Sequence, residues 1–174
     1  MSMKVFKEEQ RFTQLWIIIL LAISVLVPVV IIIIQFLQDK GSFSTTEFIL
    51  VISLTVLLPL VIFLFKLYTR IDEQGVHYKF FPFHLKLRTI AWQEISKAYV
   101  RRYDAISEYG GWGLKGGAFW RKSKGIAINV SGDIGIQLEL KNGKKILIGT
   151  KLEDQAKQAI NHYNFKIKNH ENKE

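Results

Sequence analysis

Seven basic residues, Lys97, Arg101, Arg102, Lys115, Arg121, Lys122 and Lys124, fall in one 28-residue segment against only Asp104 and Glu108. The same segment holds Trp112, Phe119 and Trp120 among the glycines 110, 111, 113, 116 and 117. Clustered cations attract anions and indole rings favour the membrane–water interface, where each Lys or Arg near an anionic surface adds about 1 kcal/mol. Strand alternation puts Lys97, Tyr99, Arg101 and Tyr103 on one face. The chemistry on offer is recognition of negative groups, either lipid headgroups or a membrane-protein partner. A second reading needs no ligand: the aromatics pack a long loop onto a sheet and the charges are solvated.

Motifs for other chemistry lack their contexts. Residues 111–116 match G-x-G-x-x-G. A dinucleotide site needs that turn to open a helix in a βαβ unit, and no helical period follows here. His77, His84, His162 and His170 show no metal-ligand spacing. The carboxylates are scattered, and Ser123 lacks the setting of an activated nucleophile. With no cysteine in the chain, disulfides, zinc ribbons and thiol catalysis are excluded by inventory. The glycosylation triplet at Asn129 ends an expected cytoplasmic strand and reads as a chance match. We expect no enzyme, no cofactor and no metal. Juxtamembrane charge also accounts for the basic balance more simply than nucleic acid does.

The elements that position the basic segment follow from how apolar residues are distributed. The 174 residues are 49% hydrophobic and 22% charged with a net charge of +9, yet residues 15–37 contain no ionisable group. That run is about 34 Å long as a helix, enough for a hydrocarbon core of about 30 Å. A second run, residues 48–68, carries only Lys66 near its end. The first is too long for a signal peptide and has no small-residue cleavage site after it. Residues 38–47 join the two as a short external loop. Lys4, Lys7 and Arg11 precede the first helix, Lys40 alone lies in the loop, and Lys66, Arg70 and Lys79 follow. The positive-inside rule then puts both termini in the cytoplasm of a multi-pass protein of the cell membrane. Pro28 and Pro59 read as packing features. The spans hold no carboxylate, His or Arg, so no ion relay is expected.

Residues 1–14 read as a cytoplasmic tail, 69–164 as a cytoplasmic domain and 165–174 as a polar tail. From residue 68 onward the chain has 19 Lys plus Arg against 11 Asp plus Glu, nearly all the net charge. Its pattern is mostly of period two: Val76, Tyr78 and Phe80; Leu85 and Leu87; 95–103; Ile126, Ile128 and Val130; Ile136, Leu138 and Leu140. Asn142-Gly143 signals a two-residue hairpin into residues 144–149. Thr150 and Glu153 fit a capping box, followed by the helical face Leu152, Ala156, Ala159, Ile160 and Tyr163. The expected fold is α+β: a membrane helical hairpin, then about seven antiparallel strands and a C-terminal helix.

This order of parts, with Arg70-Ile71-Asp72…Gly75-Val76, Ala91-Trp92-Gln93-Glu94-Ile95 and Gly143…Ile148-Gly149-Thr150 before the last helix, resembles the bacterial pleckstrin-homology-like (PH-like) proteins with two N-terminal transmembrane helices. The resemblance covers most of the chain. It implies a bent seven-stranded antiparallel sheet capped by a helix, and a membrane location, more than an activity. The loop at 104–124 departs from a minimal module, and no residue role is carried over. The expected function is binding, of anionic lipid headgroups or of a membrane-protein partner, another copy of the chain included. The alternative is a structural or regulatory subunit of a larger membrane complex, its basic-aromatic loop serving as packing only.

Overall fold

The computed structural model describes residues 5–38, 44–116 and 125–171, with side chains to 167 in the last helix. The chain divides into two units, Phe12–Phe65 and a module made of Met1–Arg11 with Lys66–Glu174.

In the first unit, α1 (Leu15–Gln38) and α2 (Thr45–Leu60) form an antiparallel pair, with Phe36 and Phe48 stacked 4.1 Å apart. α2 tightens into a 3-10 turn, Val61–Leu64, just after Pro59. α1, and α2 together with its 3-10 turn (Thr45–Leu64), are each long and apolar enough to cross a membrane. Only Ile17 of α1 and no residue of α2 is buried, so their leucines, isoleucines and valines face outward. Ser24 and Thr55 satisfy their hydroxyls on the carbonyls of Leu21 and Val51. α2 begins earlier than the apolar run suggests because Ser44 and Glu47 make a capping box. Ser44 Oγ accepts the Glu47 N–H at 3.2 Å, and Glu47 Oε2 accepts the Ser44 N–H at 2.8 Å. It also ends earlier. Lys66, Leu67 and Tyr68 belong to a strand, and Leu67 is fully buried there.

Nine strands are described in the module. β1 (Phe6–Arg11), β2 (Lys66–Ile71), β3 (Gly75–Phe81) and β4 (Arg88–Ala91) form one antiparallel sheet in that order. A 3-10 turn, Trp92–Glu94, leads to the second sheet. Its strands β5 (Ile95–Arg102), β6 (Gly113–Lys115), β7 (Ile126–Asn129), β8 (Ile134–Leu140) and β9 (Lys145–Gly149) are ordered β5-β8-β9-β7-β6. α3 (Ala105–Tyr109) follows β5, and α4 (Glu153–Glu171) closes the chain. The core joins Leu67, Val76 and Phe80 of the first sheet, Ile136, Leu138 and Ile148 of the second, and Ala156, Ile160 and Tyr163 of α4. Trp92 stacks on Tyr163 at 5.5 Å and donates its indole N–H to the Asp72 carbonyl.

Several expectations are corrected. The supposed N-terminal tail contains β1, and the supposed loop contains β6; these account for the strands beyond seven. Residues 85–87 are turn rather than strand, and β4 starts at Arg88. The strands are not all antiparallel: β9 lies between β8 and β7 and runs parallel to β7. The Asn142-Gly143 turn does join β8 to β9. It is one residue longer than expected, with Gly143 left-handed (φ 80°) and its N–H on the Leu140 carbonyl. α4 continues into the supposed polar tail, to Glu171, because Ile167, 3% exposed, continues its buried face.

Of the expected Thr150–Glu153 capping box, the Thr150 hydroxyl does accept a backbone N–H, that of Leu152 at 3.1 Å, but the carboxylate comes from the other end of the chain. The Thr150 hydroxyl donates to Glu8 Oε2 at 2.6 Å, and the Lys151 N–H donates to Glu8 Oε1 at 2.8 Å. Glu153 instead pairs with Lys157 at 2.7 Å. Gln10 adds a bond from Nε2 to the Gly149 carbonyl at 2.8 Å. β1 therefore turns Phe6, Glu8 and Gln10 inward and bridges the first sheet to the end of β9.

Candidate binding surface

The basic segment begins on β5, where a bulge at Ser96 shifts the pairing with β8 and leaves Lys97 exposed opposite Glu139. The chain leaves the strand at Tyr103, which is 4% exposed rather than displayed beside Lys97. The reason lies across the sheet. Gly135 of β8 and Gly149 of β9 are register partners, and a side chain at Gly135 would meet Leu147 at 2.9 Å and Tyr103 at 3.2 Å. The ring thus lies in a notch that two glycines leave open. Its hydroxyl accepts from Asn129 Nδ2 at 2.8 Å, and Asn129 Oδ1 accepts the Gly113 N–H at 2.9 Å. Burial pushes the phenol up to about 12.

Asp104 then caps α3, its Oδ1 accepting the N–H groups of Ile106 and Ser107, and Gly110 ends the helix left-handed (φ 74°). This short helix brings Glu108 and Tyr109 back to Arg101. Arg101 donates to Glu108 at 2.8 and 3.1 Å, to the Tyr109 hydroxyl at 3.2 Å and to Gln137 at 3.1 Å. Hydrogen bonding to Glu108 raises the Arg101 guanidinium further above its ordinary range. Trp112 packs on Tyr103, Ala105, Tyr109, Ala127 and Leu147, with its N–H on the Gly132 carbonyl at 3.2 Å.

The structure thus brings Arg101 and Trp112 into internal contacts. Arg102 is exposed, with Asp133 at 3.7 Å, and Lys115 is half-buried on β6. Phe119, Trp120, Arg121, Lys122 and Lys124 lie outside the described residues. Two depressions flank this region. One of about 440 Å³ carries Asp104 and Asp133 on its wall, which suits an anion poorly. The other, about 180 Å³, lies over Arg101 and Lys145 but also Glu108 and Glu139.

A second cationic surface was missed by sequence reasoning. On the outer face of the first sheet the register aligns Lys7, Arg70 and His77 in one row, Glu9, Tyr68 and Lys79 in the next, and Arg11, Lys66 and Phe81 in the last. Glu9 sits 2.8 Å from Arg11 and 4.0 Å from Lys66. In the sequence Lys7, Arg11, Lys66, Arg70 and Lys79 stood out only as basic residues beside the apolar runs, because nothing there reveals that β1 pairs with β2.

At the other end of that sheet Asp72 Oδ1 lies 2.8 Å from His77 Nε2, and His77 Nδ1 lies 2.8 Å from the Thr89 hydroxyl. These are the residue types of a nucleophilic triad. Here Asp72 also accepts the Gln74 N–H and pairs with Arg70 at 2.8 Å, which closes the β2–β3 turn and ties it to β4. Burial works to raise the Asp72 carboxyl, but His77, the Gln74 N–H and Arg70 outweigh it and hold the carboxyl below its ordinary range. Among the described residues no three His, Asp or Glu side chains converge as metal ligands would. No protein-family model matches the chain, and no curated protein sequence matches it significantly.

Proposed function

We propose that this chain is a two-pass protein of the cell membrane whose cytoplasmic, PH-like module binds anionic lipid headgroups. One observation carries the reading: β1 and β2, the strands immediately before and after two apolar, outward-facing helices, are hydrogen-bonded neighbours from Phe6↔Ile71 to Arg11↔Lys66. Paired strands occupy one compartment. A chain that crosses a membrane between them must cross it and return. So many uncovered leucines and isoleucines are incompatible with water but suit lipid. The basic residues beside both helices, Arg11 and Lys66 above all, make that compartment the cytoplasm.

The connections are residues 12–14 on one side and Phe65 on the other. Three residues reach at most about 10 Å, so the sheet end bearing Arg11 and Lys66 stays within reach of the headgroups. There Arg11, Lys66 and Lys79 each contribute about 1 kcal/mol toward an anionic leaflet. Arg102, Lys97 and Lys115 extend the same chemistry to the second sheet. The role is binding, with neither catalysis nor a cofactor in it.

The subunit reading is favoured by a specific observation as well, since Arg101 and Trp112 are held in internal contacts. Purification of the full chain in mild detergent separates the two. Copurifying anionic lipid, reduced in Lys66→Glu/Lys79→Glu, supports headgroup binding. A stoichiometric protein partner with no lipid enrichment supports the subunit.

A further inference from the structure

The turn between β3 and β4 has a composition that neither the basic segment nor the core explains. Phe83, Leu85 and Leu87 are 61%, 73% and 42% exposed, while His84 between them is 6% exposed. The turn is built around that histidine. The His84 N–H donates to the Phe80 carbonyl at 2.7 Å, its Nδ1 accepts the Phe80 N–H at 3.4 Å, and its ring meets Tyr78 edge-on at 5.6 Å. Burial, with Arg88 nearby, lowers the imidazole below its ordinary range, which keeps it a neutral acceptor. Phe83 stacks on Phe80 at 5.9 Å. Lys86 and Arg88, both exposed, flank the apolar side chains.

The register says where this turn is. It follows Phe81, which pairs with Lys66, which pairs with Arg11. The turn therefore leaves the first sheet at the end from which both connections to the apolar helices leave. Outward apolar groups beside cations are what a water–lipid boundary accommodates, with carbon in the acyl region and charge at the headgroups.

We propose that the β3–β4 turn is a wedge that enters the headgroup region of an anionic membrane, with Phe83, Leu85 and Leu87 inserted and Lys86 and Arg88 on phosphates. The inference rests on the two-pass reading and adds a fixed point of contact that orients the module on the leaflet. It is tested on the full chain in phosphatidylcholine vesicles with and without phosphatidylglycerol. Single nitroxides are placed through Leu85→Cys, through Asn142→Cys as a solvent reference and through Val30→Cys as a reference within α1. Collision with oxygen and with a water-soluble nickel complex reports depth.

The expected result is residue 85 between the references, with more oxygen and less nickel access than residue 142, moving toward water when phosphatidylglycerol is omitted. If residue 85 matches residue 142 while residue 30 is deep, the wedge fails and the two-pass reading stands. Shielding of residue 85 from both reagents would show burial against protein and also overturn the wedge. If residue 30 is itself aqueous, both readings fall.

Discussion

Glu8 shows how one side chain near the start of the chain organises its far end. Its carboxylate is 8% exposed as part of the residue and accepts from both Thr150 and Lys151. Glu8→Ala leaves a buried hydroxyl and an N–H without their acceptor, at a cost of about 1–3 kcal/mol. Thermal melts of the full chain in detergent should show a lower midpoint for Glu8→Ala, with Glu8→Gln intermediate because an amide oxygen still accepts. Tyr103 makes a second prediction at this scale. An exposed phenol ionises near 10, whereas this one is held up to about 12, so the folded state keeps a proton that the unfolded state loses. Its contribution is therefore complete below pH 10 and disappears as pH rises through 12. Tyr103→Phe should flatten the alkaline loss of stability between those values. It should also lower stability at neutral pH by about 1 kcal/mol through the lost Asn129 bond. An unchanged alkaline slope would show that the ring is not buried in its glycine notch.

At the scale of elements, legibility in the sequence followed the uniformity of the signal. The two apolar helices were evident because a run of about 20 residues without charge has few other readings. α4 was evident from its 3.6-residue spacing, although Glu8, 142 positions from Thr150, supplies the carboxylate expected of Glu153. β1 was invisible because two of its three inward positions are Glu8 and Gln10, so its period-two pattern is polar on both faces. The parallel pairing of β7 with β9 was invisible for another reason: alternation identifies a strand but does not choose its neighbour. The basic-aromatic segment was legible as charge and aromatic content. The internal engagement of Arg101 was not, because it depends on a five-residue helix turning Glu108 and Tyr109 back over β5. Two substitutions test the packing of elements. Ile160→Ala on the buried face of α4 should cost about 2–4 kcal/mol, and Leu152→Ala, only half-buried, less. Gly75→Ala should disrupt the pairing of β3 with β4, because the added carbon would sit 2.1 Å from the Ile90 carbonyl oxygen. Equal melts for Ile160→Ala and the parent would mean that α4 does not dock.

In the whole molecule a helical hairpin is inserted between two neighbouring strands of one sheet. The proposed two-pass path rests on it, because strands paired on either side of residues 12–65 oblige a chain that crosses a membrane between them to return. The absence of cysteine makes the path directly measurable. Single cysteines at Ser2, Ser42 and Asn172 are exposed in intact cells to an impermeant thiol reagent, then again after the membrane is opened. Residue 42 should react in intact cells, and residues 2 and 172 only after opening. Reaction of residues 2 and 172 with residue 42 protected would keep the hairpin but invert it. Reaction of residue 2 on one side and residue 172 on the other would contradict the pairing of β1 with β2 across two crossings, and the account with it.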